Sequence, residues 1–109
     1  MFERGELLLV PFPFTDLSAV KRRPVLALTQ PDAFGDFIAL PVTSRVQTEN
    51  AVALRQTDLA EGALPLASWV RTDHVVTLNA ELVVKSFGRA SEKLVRSALA
   101  RLCARVGYR

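Results

Sequence analysis

The sequence has few of the residues that form disulfides or metal sites. Its 109 residues include one cysteine, Cys103, and one histidine, His74. An internal disulfide is therefore impossible, and we expect no metal and no cofactor. No run approaches the roughly 18 consecutive apolar residues that cross a bilayer. Residues 1–6 include the charged residues Glu3, Arg4 and Glu6, whereas the core of a secretory signal is apolar. We expect a cytoplasmic protein with no membrane partner.

The common catalytic motifs are also missing. The sequence contains no glycine-rich phosphate loop, no HExxH, no CxxC and no GxSxG, which excludes the chemistries that depend on them. Any catalysis must use other groups, and we expect it to need no metal.

Composition predicts one compact domain over residues 1–109. Half of the residues are hydrophobic, with a mean hydropathy of +0.21, which suffices for a core. The net charge is +3, but residues 81–109 carry +5 and residues 1–80 carry −2. A basic C-terminal third is typical of a domain that binds RNA, DNA or an acidic protein tail. It is also typical of a solvated helix face.

Short apolar runs bounded by glycine, proline and polar turn residues predict several strands. The runs lie at residues 7–10, 24–28, 37–42, 52–54, 69–70, 75–78 and 82–87. Residues 13–22 are predicted to form a loop, and residues 56–62 a polar excursion with one helical turn.

One helix is predicted after Ser91, because Leu94, Val95, Ala98 and the apolar residues that follow recur on one helical face. Ser91 suits the N-cap and Gly107 the C-terminal end. Several short strands without βαβ alternation, followed by a helix, indicate an α+β, mainly β fold. We expect a small antiparallel barrel or sandwich with the helix packed outside it.

Three clusters of cationic and hydroxyl side chains stand at predicted strand ends and in loops. They are Lys21-Arg22-Arg23-Pro24, Thr43-Ser44-Arg45 and Arg71-Thr72-Asp73-His74. Each cluster by itself is also consistent with ordinary surface ion pairs.

Together the clusters suit cleavage of an RNA phosphodiester by its own 2′-hydroxyl, which needs a base, an acid and cations near the phosphate. Asp73 is the candidate base. Arg71 lies two residues away, so both project to one face of an extended segment, with His74 on the opposite face. A guanidinium holds its proton too tightly to be a good acid, so Arg71 is better suited to electrostatic stabilisation.

The other two clusters supply charge and hydrogen bonds for this reaction. Arg23 can stabilise the phosphoryl oxygens, and the hydroxyls of Thr43 and Ser44 can donate to the phosphate and align it. Asp16 is a candidate second carboxylate, although Thr15-Asp16 also suits a simple turn.

Four segments in this order resemble the MazF/PemK family of toxins from type II toxin-antitoxin systems, which includes the Kid ribonuclease. Arg4-Gly5-Glu6-Leu7 with Val10-Pro11-Phe12 is similar to the family's first strand, and Arg23-Pro24-Val25-Leu26 to its RPxL signature. Pro41-Val42-Thr43-Ser44 is similar to a PVTS-type segment, and Val70-Arg71-Thr72-Asp73 to the VRxD segment of Kid-like members. The resemblance spans nearly the whole chain.

The resemblance implies an SH3-like antiparallel β-barrel with a C-terminal α-helix, usually homodimeric. It also implies a toxin that is a sequence-specific, metal-independent endoribonuclease acting on single-stranded mRNA. Asp73 would be the base, Arg71 the acid or stabiliser, and Arg23 a further catalytic cation. The RNA-binding residues would be Thr43, Ser44, Lys21, Arg22 and Arg45. The implied partner is a cognate antitoxin whose disordered acidic tail covers the RNA site.

The chain departs from Kid-like members in the loop after the first strand, where residues 14–20 contain no histidine. Two other functions remain open. CcdB-like toxins share the barrel, bind DNA gyrase and cleave nothing, and a nucleic-acid-binding barrel without toxicity is the third alternative. Cleavage of naked RNA in EDTA separates the ribonuclease from both.

Overall fold

The structure is a computed structural model that describes residues 2–13 and 20–108. Its strands and helix follow the chain in the order β1 (Glu6–Pro13), β2 (Val20–Ala27), β3 (Asp36–Thr43), β4 (Ala51–Leu54), β5 (Leu59–Gly62), β6 (Ser68–Arg71), β7 (Val76–Asn79), β8 (Lys85–Ala90) and α1 (Glu92–Arg105). Two short 3₁₀ turns, Gln56–Asp58 and Ala80–Leu82, precede β5 and β8.

The strands form one curled antiparallel sheet in the order β4-β6-β3-β2-β1-β8-β5. β3 is central to one half of this sheet, because two different strands, β6 and β7, pair along the same edge of β3. Its first half pairs with β7, with Phe37 opposite Leu78, and its end pairs with β6, with Val42 opposite Val70. The predicted fold class, mainly β with a barrel-like sheet and a C-terminal helix, is confirmed.

Both faces of the central strands are buried. Along β1, Leu7 packs into one apolar cluster and Leu8 into another, since successive side chains of a strand point to opposite faces. This explains why the apolar run at residues 7–10 is continuous. Phe37 lies in the second cluster, where its ring packs edge-on against Phe2 with centroids 4.6 Å apart.

The helix covers the first of these clusters. Leu94, Val95 and Ala98 are its buried residues. The Ser91 hydroxyl accepts a hydrogen bond from the Leu94 N–H at 3.2 Å, which confirms the predicted N-cap, and the chain leaves the helix through Gly107 at φ +80°. Among the described residues, no helix has both the length and the apolar character needed to cross a membrane.

The predicted bounds of three strands, β5, β1 and β2, were wrong. β5 was predicted only as part of a polar excursion, whereas Leu59–Gly62 pairs with β8; the predicted helical turn before it is confirmed. β1 and β2 also extend to Pro13 and from Val20, into the predicted loop. Pro11 and Pro13 are tolerated because β8 pairs only with residues 6–9 of β1, so one side of the strand needs no N–H donor there.

Candidate functional site

A cleft of about 290 Å³ lies over β2, β3 and β6. We call it the cationic cleft. Its lining residues are Arg23, Pro41, Val42, Thr43, Arg45, Gln47, Arg71 and His74.

Strand pairing brings the cleft residues together from distant parts of the sequence. β2 pairs with β3 with Val25 opposite Pro41, and continuing this register brings Arg23 level with Thr43. β6 pairs with the same end of β3, with Thr43 opposite Trp69. Residues from all three predicted clusters therefore lie on adjacent strands and line one cleft.

Positive charge dominates the lining. Three guanidinium groups and one imidazole face the cleft, and no carboxylate of the described residues is among its lining side chains. The arginines favour an anionic ligand, because a guanidinium presents its N–H donors in a fork that matches phosphate oxygens.

Asp73 stands at the cleft through its contact with Arg71. The Oδ2 atom of Asp73 lies 3.4 Å from the Nη2 atom of Arg71. Both side chains are partly exposed, 26% for Asp73 and 36% for Arg71, so water and a ligand can reach both. The structure thus places the predicted base beside the predicted stabilising cation.

The predicted position of His74 was wrong. Alternation along a continuous strand would put it opposite Arg71, but both residues line the cationic cleft. β6 ends at Arg71, and Thr72 and Asp73 form a turn. Beyond the end of a strand the side chains no longer alternate, so His74 returns to the side of Arg71.

The hydroxyl of Thr43 shapes the segment that follows β3. Its Oγ1 atom accepts a hydrogen bond from the Arg45 N–H at 3.1 Å. Because the hydroxyl is the acceptor in that bond, its own proton remains for donation to a ligand in the cleft. The same bond fixes the backbone from which the Arg45 side chain enters the lining.

The structure does not bring every predicted RNA-binding residue into the cleft. Ser44 lines a neighbouring apolar groove of about 520 Å³ instead, as expected for a residue adjacent to Thr43 that faces the other way. Lys21 and Arg22 are exposed on β2 outside the lining of both spaces. Asp16 lies outside the described residues, together with the rest of residues 14–19.

The apolar groove adjoins the cationic cleft through two shared residues, Arg23 and Val42. Leu64, Leu66 and Phe87 contribute to its apolar lining, and Lys85 adds a second cation. A ligand that spans both spaces would contact positive charge in the cationic cleft and an apolar surface in the groove.

Gln47 is a cleft residue that the sequence analysis missed. It stands in a polar segment after β3 with no motif around it, so no sequence signal distinguishes it from a solvated loop residue. As for metals, no cluster of three or more His, Cys, Asp or Glu side chains suited to a metal ion occurs within residues 2–13 and 20–108.

The fold and the cleft define a small, mainly β protein with a barrel-like sheet and a cationic cleft, and comparison with known proteins gives its family. Residues 3–105 match the family described as PemK-like, MazF-like toxin of type II toxin-antitoxin system. The chain belongs to this family, which confirms the resemblance found in the sequence. No curated protein sequence matches the chain.

Solved structures of the same fold include chains from Deinococcus radiodurans and from mycobacteria. A chain of the MazE-MazF crystal structure (Form-III) from Deinococcus radiodurans is 22% identical with a TM-score of 0.80, over 99% of this chain and 98% of that one. An endoribonuclease in complex with its cognate antitoxin, from Mycobacterial species, is 18% identical with a TM-score of 0.74, over 99% and 95%. The toxin MazF-mt6 of Mycobacterium tuberculosis is 17% identical with a TM-score of 0.75, over 95% and 98%.

Proposed function

We propose that this toxin is a sequence-specific endoribonuclease that cuts single-stranded mRNA without a metal ion. The observation that carries the proposal is the Arg71–Asp73 pair at the edge of a cleft lined by three arginines. Membership of the toxin family and the endoribonuclease named among its structural neighbours support it.

The reaction begins at the 2′-hydroxyl next to the scissile phosphate. Asp73 accepts the 2′-hydroxyl proton, the 2′-oxygen forms a bond to phosphorus, and the bond from phosphorus to the 5′-oxygen breaks. The leaving 5′-oxygen takes up a proton, and the products are a 2′,3′-cyclic phosphate and a 5′-hydroxyl. At 3.4 Å the contact of Asp73 with Arg71 is long for a hydrogen bond, which leaves the carboxylate free to accept from the RNA.

The arginines stabilise the charge that builds on the phosphoryl oxygens. Arg71 and Arg23 approach the phosphate from two neighbouring parts of the sheet, and preorganised donors of this kind supply much of the catalysis in phosphoryl chemistry. Thr43 donates its hydroxyl proton to the phosphate and helps to hold phosphorus in line with the 2′-oxygen. Fixed guanidinium groups supply here the positive charge that a metal ion supplies elsewhere, which favours a metal-independent reaction.

Sequence preference comes from polar groups beside the reacting phosphate. The Gln47 amide carries both donors and an acceptor, and Arg45 carries a donor fork, so the two can distinguish base edges. Lys21 and Arg22 on β2, and Ser44 in the adjoining groove, would contact flanking nucleotides.

The same surface suits an antitoxin. An acidic, disordered tail would lie over the cationic cleft and place apolar side chains in the adjoining groove, folding as it binds. Structural neighbours crystallised with their antitoxins support this partner. We further propose that the toxin acts in the cytoplasm as a homodimer.

Incubation with a long single-stranded RNA in EDTA tests the proposal, with cut ends mapped by primer extension. We expect discrete cuts that end in a cyclic phosphate and that disappear in Arg71→Ala. Intact RNA with folded wild-type protein would contradict the proposal, and inhibition of gyrase supercoiling by the same sample would then point to a CcdB-like toxin.

A further inference from the structure

The chain's one imidazole lies where the proposed reaction has no proton donor. His74 lines the cationic cleft with Arg23 and Arg71, and its side chain is exposed to ligand. Cleavage must place a proton on the leaving 5′-oxygen, yet guanidinium groups do not release protons near neutral pH. Asp73 is already assigned the opposite task, as the base.

We propose that His74 is the general acid of the cleavage reaction, a proposal that rests on the ribonuclease function proposed above. An imidazole is the one side chain that ordinarily gains and loses a proton between pH 5 and 8. It can therefore enter the reaction as imidazolium and leave it as neutral imidazole, which neither Arg23 nor Arg71 can do.

Charged groups from several parts of the fold surround this imidazole. Arg23 from β2, Arg45 from the segment after β3 and Arg71 from β6 line the same cleft as His74. Asp73 is the preceding residue in the chain. A phosphate held by the arginines of this cleft would lie beside the His74 ring.

The protons balance in this scheme. The 2′-hydroxyl proton passes to Asp73 as the 2′-oxygen bonds to phosphorus. The imidazolium proton of His74 passes to the 5′-oxygen as its bond to phosphorus breaks, with the electron pair of that bond staying on oxygen. After product release, water carries the proton from Asp73 back to His74, and both residues regain their starting states.

An RNA with one 5′-phosphorothiolate linkage tests this role directly, because sulfur then replaces the leaving 5′-oxygen. A thiolate is a stable leaving group near neutral pH, since a thiol is far more acidic than an alcohol. We expect His74→Gln to slow cleavage of ordinary RNA by at least about 100-fold, and cleavage of the phosphorothiolate RNA by no more than about tenfold.

The pH dependence gives a second readout that a structural role would not move. With wild-type protein, cleavage of ordinary RNA should fall as the pH rises, since the imidazolium fraction falls. His74→Gln should lose this decrease. RNA binding and the melting temperature should change little, because His74 is exposed.

Gln47→Ala is the matched control, because Gln47 lines the same cleft but holds no transferable proton. Any reduction in cleavage rate that Gln47→Ala causes should be equal for the ordinary and the phosphorothiolate RNA. Equal loss for both RNAs with His74→Gln, or no loss at all, would overturn the acid role while leaving the ribonuclease proposal standing. Failure of wild-type protein to cut either RNA would overturn the ribonuclease function itself.

Discussion

The guanidinium of Arg71 and the carboxylate of Asp73 face each other at 3.4 Å, while Thr72 between them is fully buried. The Thr72 N–H donates to the Asn50 carbonyl at 2.8 Å, which ties the turn to the segment before β4. One buried residue thus points the residues on either side of it to the surface. The buried Thr72 therefore sets the spacing of the candidate catalytic pair, Arg71 and Asp73.

Asp73→Asn tests the proposed base. An amide has nearly the same shape as the carboxylate but cannot accept the 2′-hydroxyl proton, so we expect RNA cleavage to fall at least about 100-fold. Thermal unfolding should be almost unchanged, because exposed ion pairs contribute little to stability. The rate comes from single-turnover cleavage of a short RNA.

Glu61→Gln is a suitable control for that variant. Glu61 forms a similar exposed pair with Arg89 at 3.2 Å, away from the cationic cleft, and its loss should leave cleavage unchanged. Near-normal cleavage by Asp73→Asn would remove Asp73 from the mechanism.

Arg23→Ala should weaken both RNA binding and turnover, because Arg23 lines the cationic cleft from β2 and would contact the phosphate in the ground and transition states. Removing one preorganised donor to a developing charge costs about 100-fold in kcat. Arg22→Ala removes the same charge one position earlier, outside the lining, and should affect turnover less. Equal effects of the two variants would show that only overall charge matters.

The sequence alone predicts most of the fold because its signals are local. Apolar runs mark the central strands, and the cap at Ser91 marks the start of the helix. β5 escapes detection because its burial is slight: Leu59 is half-buried, whereas Ala60, Glu61 and Gly62 are exposed. Only its pairing with β8, a contact distant in sequence, makes it a strand.

The candidate site is less predictable because it depends on where a strand stops. Thr43 and Ser44 were both predicted to contact the phosphate, whereas the structure places them in different spaces. Strand alternation predicted the wrong side for His74, because β6 ends at Arg71. The turn that redirects the chain is held by Asn50, some twenty residues earlier, and no local pattern around His74 reveals this contact.

The salt dependence of RNA binding tests which basic residues meet the RNA. Arg96 on α1 is 77% exposed and lies 3.5 Å from Glu92, and neither it nor Arg105 lines the cationic cleft. We therefore expect the double variant Arg96→Gln, Arg105→Gln to keep the salt slope. Arg45→Gln should reduce its magnitude by about 0.7, the value for one phosphate contact to a single strand.

The measurement is the dissociation constant of a non-cleavable 2′-deoxy oligonucleotide over a range of salt concentrations. The opposite pattern, a reduced slope only in the helix variant, would place the RNA along the basic C-terminal third.

Thr72→Val should stabilise the protein. The Thr72 hydroxyl is buried and makes no hydrogen bond with any residue of the described chain, and valine replaces it with a methyl group of similar size. Removing an unsatisfied buried hydroxyl should raise the free energy of unfolding by about 1 kcal/mol, measured by urea denaturation. Thr72→Ser keeps the hydroxyl and loses the methyl, so it should lower that free energy. A destabilised Thr72→Val would show that the hydroxyl has a partner in solution.

Gly62→Ala and Gly107→Ala form a matched pair that separates backbone strain from steric overlap. Both glycines have positive φ, +87° and +80°, which costs a residue with a Cβ atom about 1 kcal/mol. A Cβ on Gly62 would also overlap the Phe87 carbonyl oxygen and lie 2.5 Å from the Cα atom of Gly88, whereas one on Gly107 would have no atom of the described residues within 4 Å. The overlap involves backbone on β8 and cannot be relieved by a rotamer change.

Urea denaturation should therefore show that the free energy of unfolding falls by about 3 kcal/mol for Gly62→Ala and by about 1 kcal/mol for Gly107→Ala. Equal losses would mean that β5 shifts away from β8 at little cost.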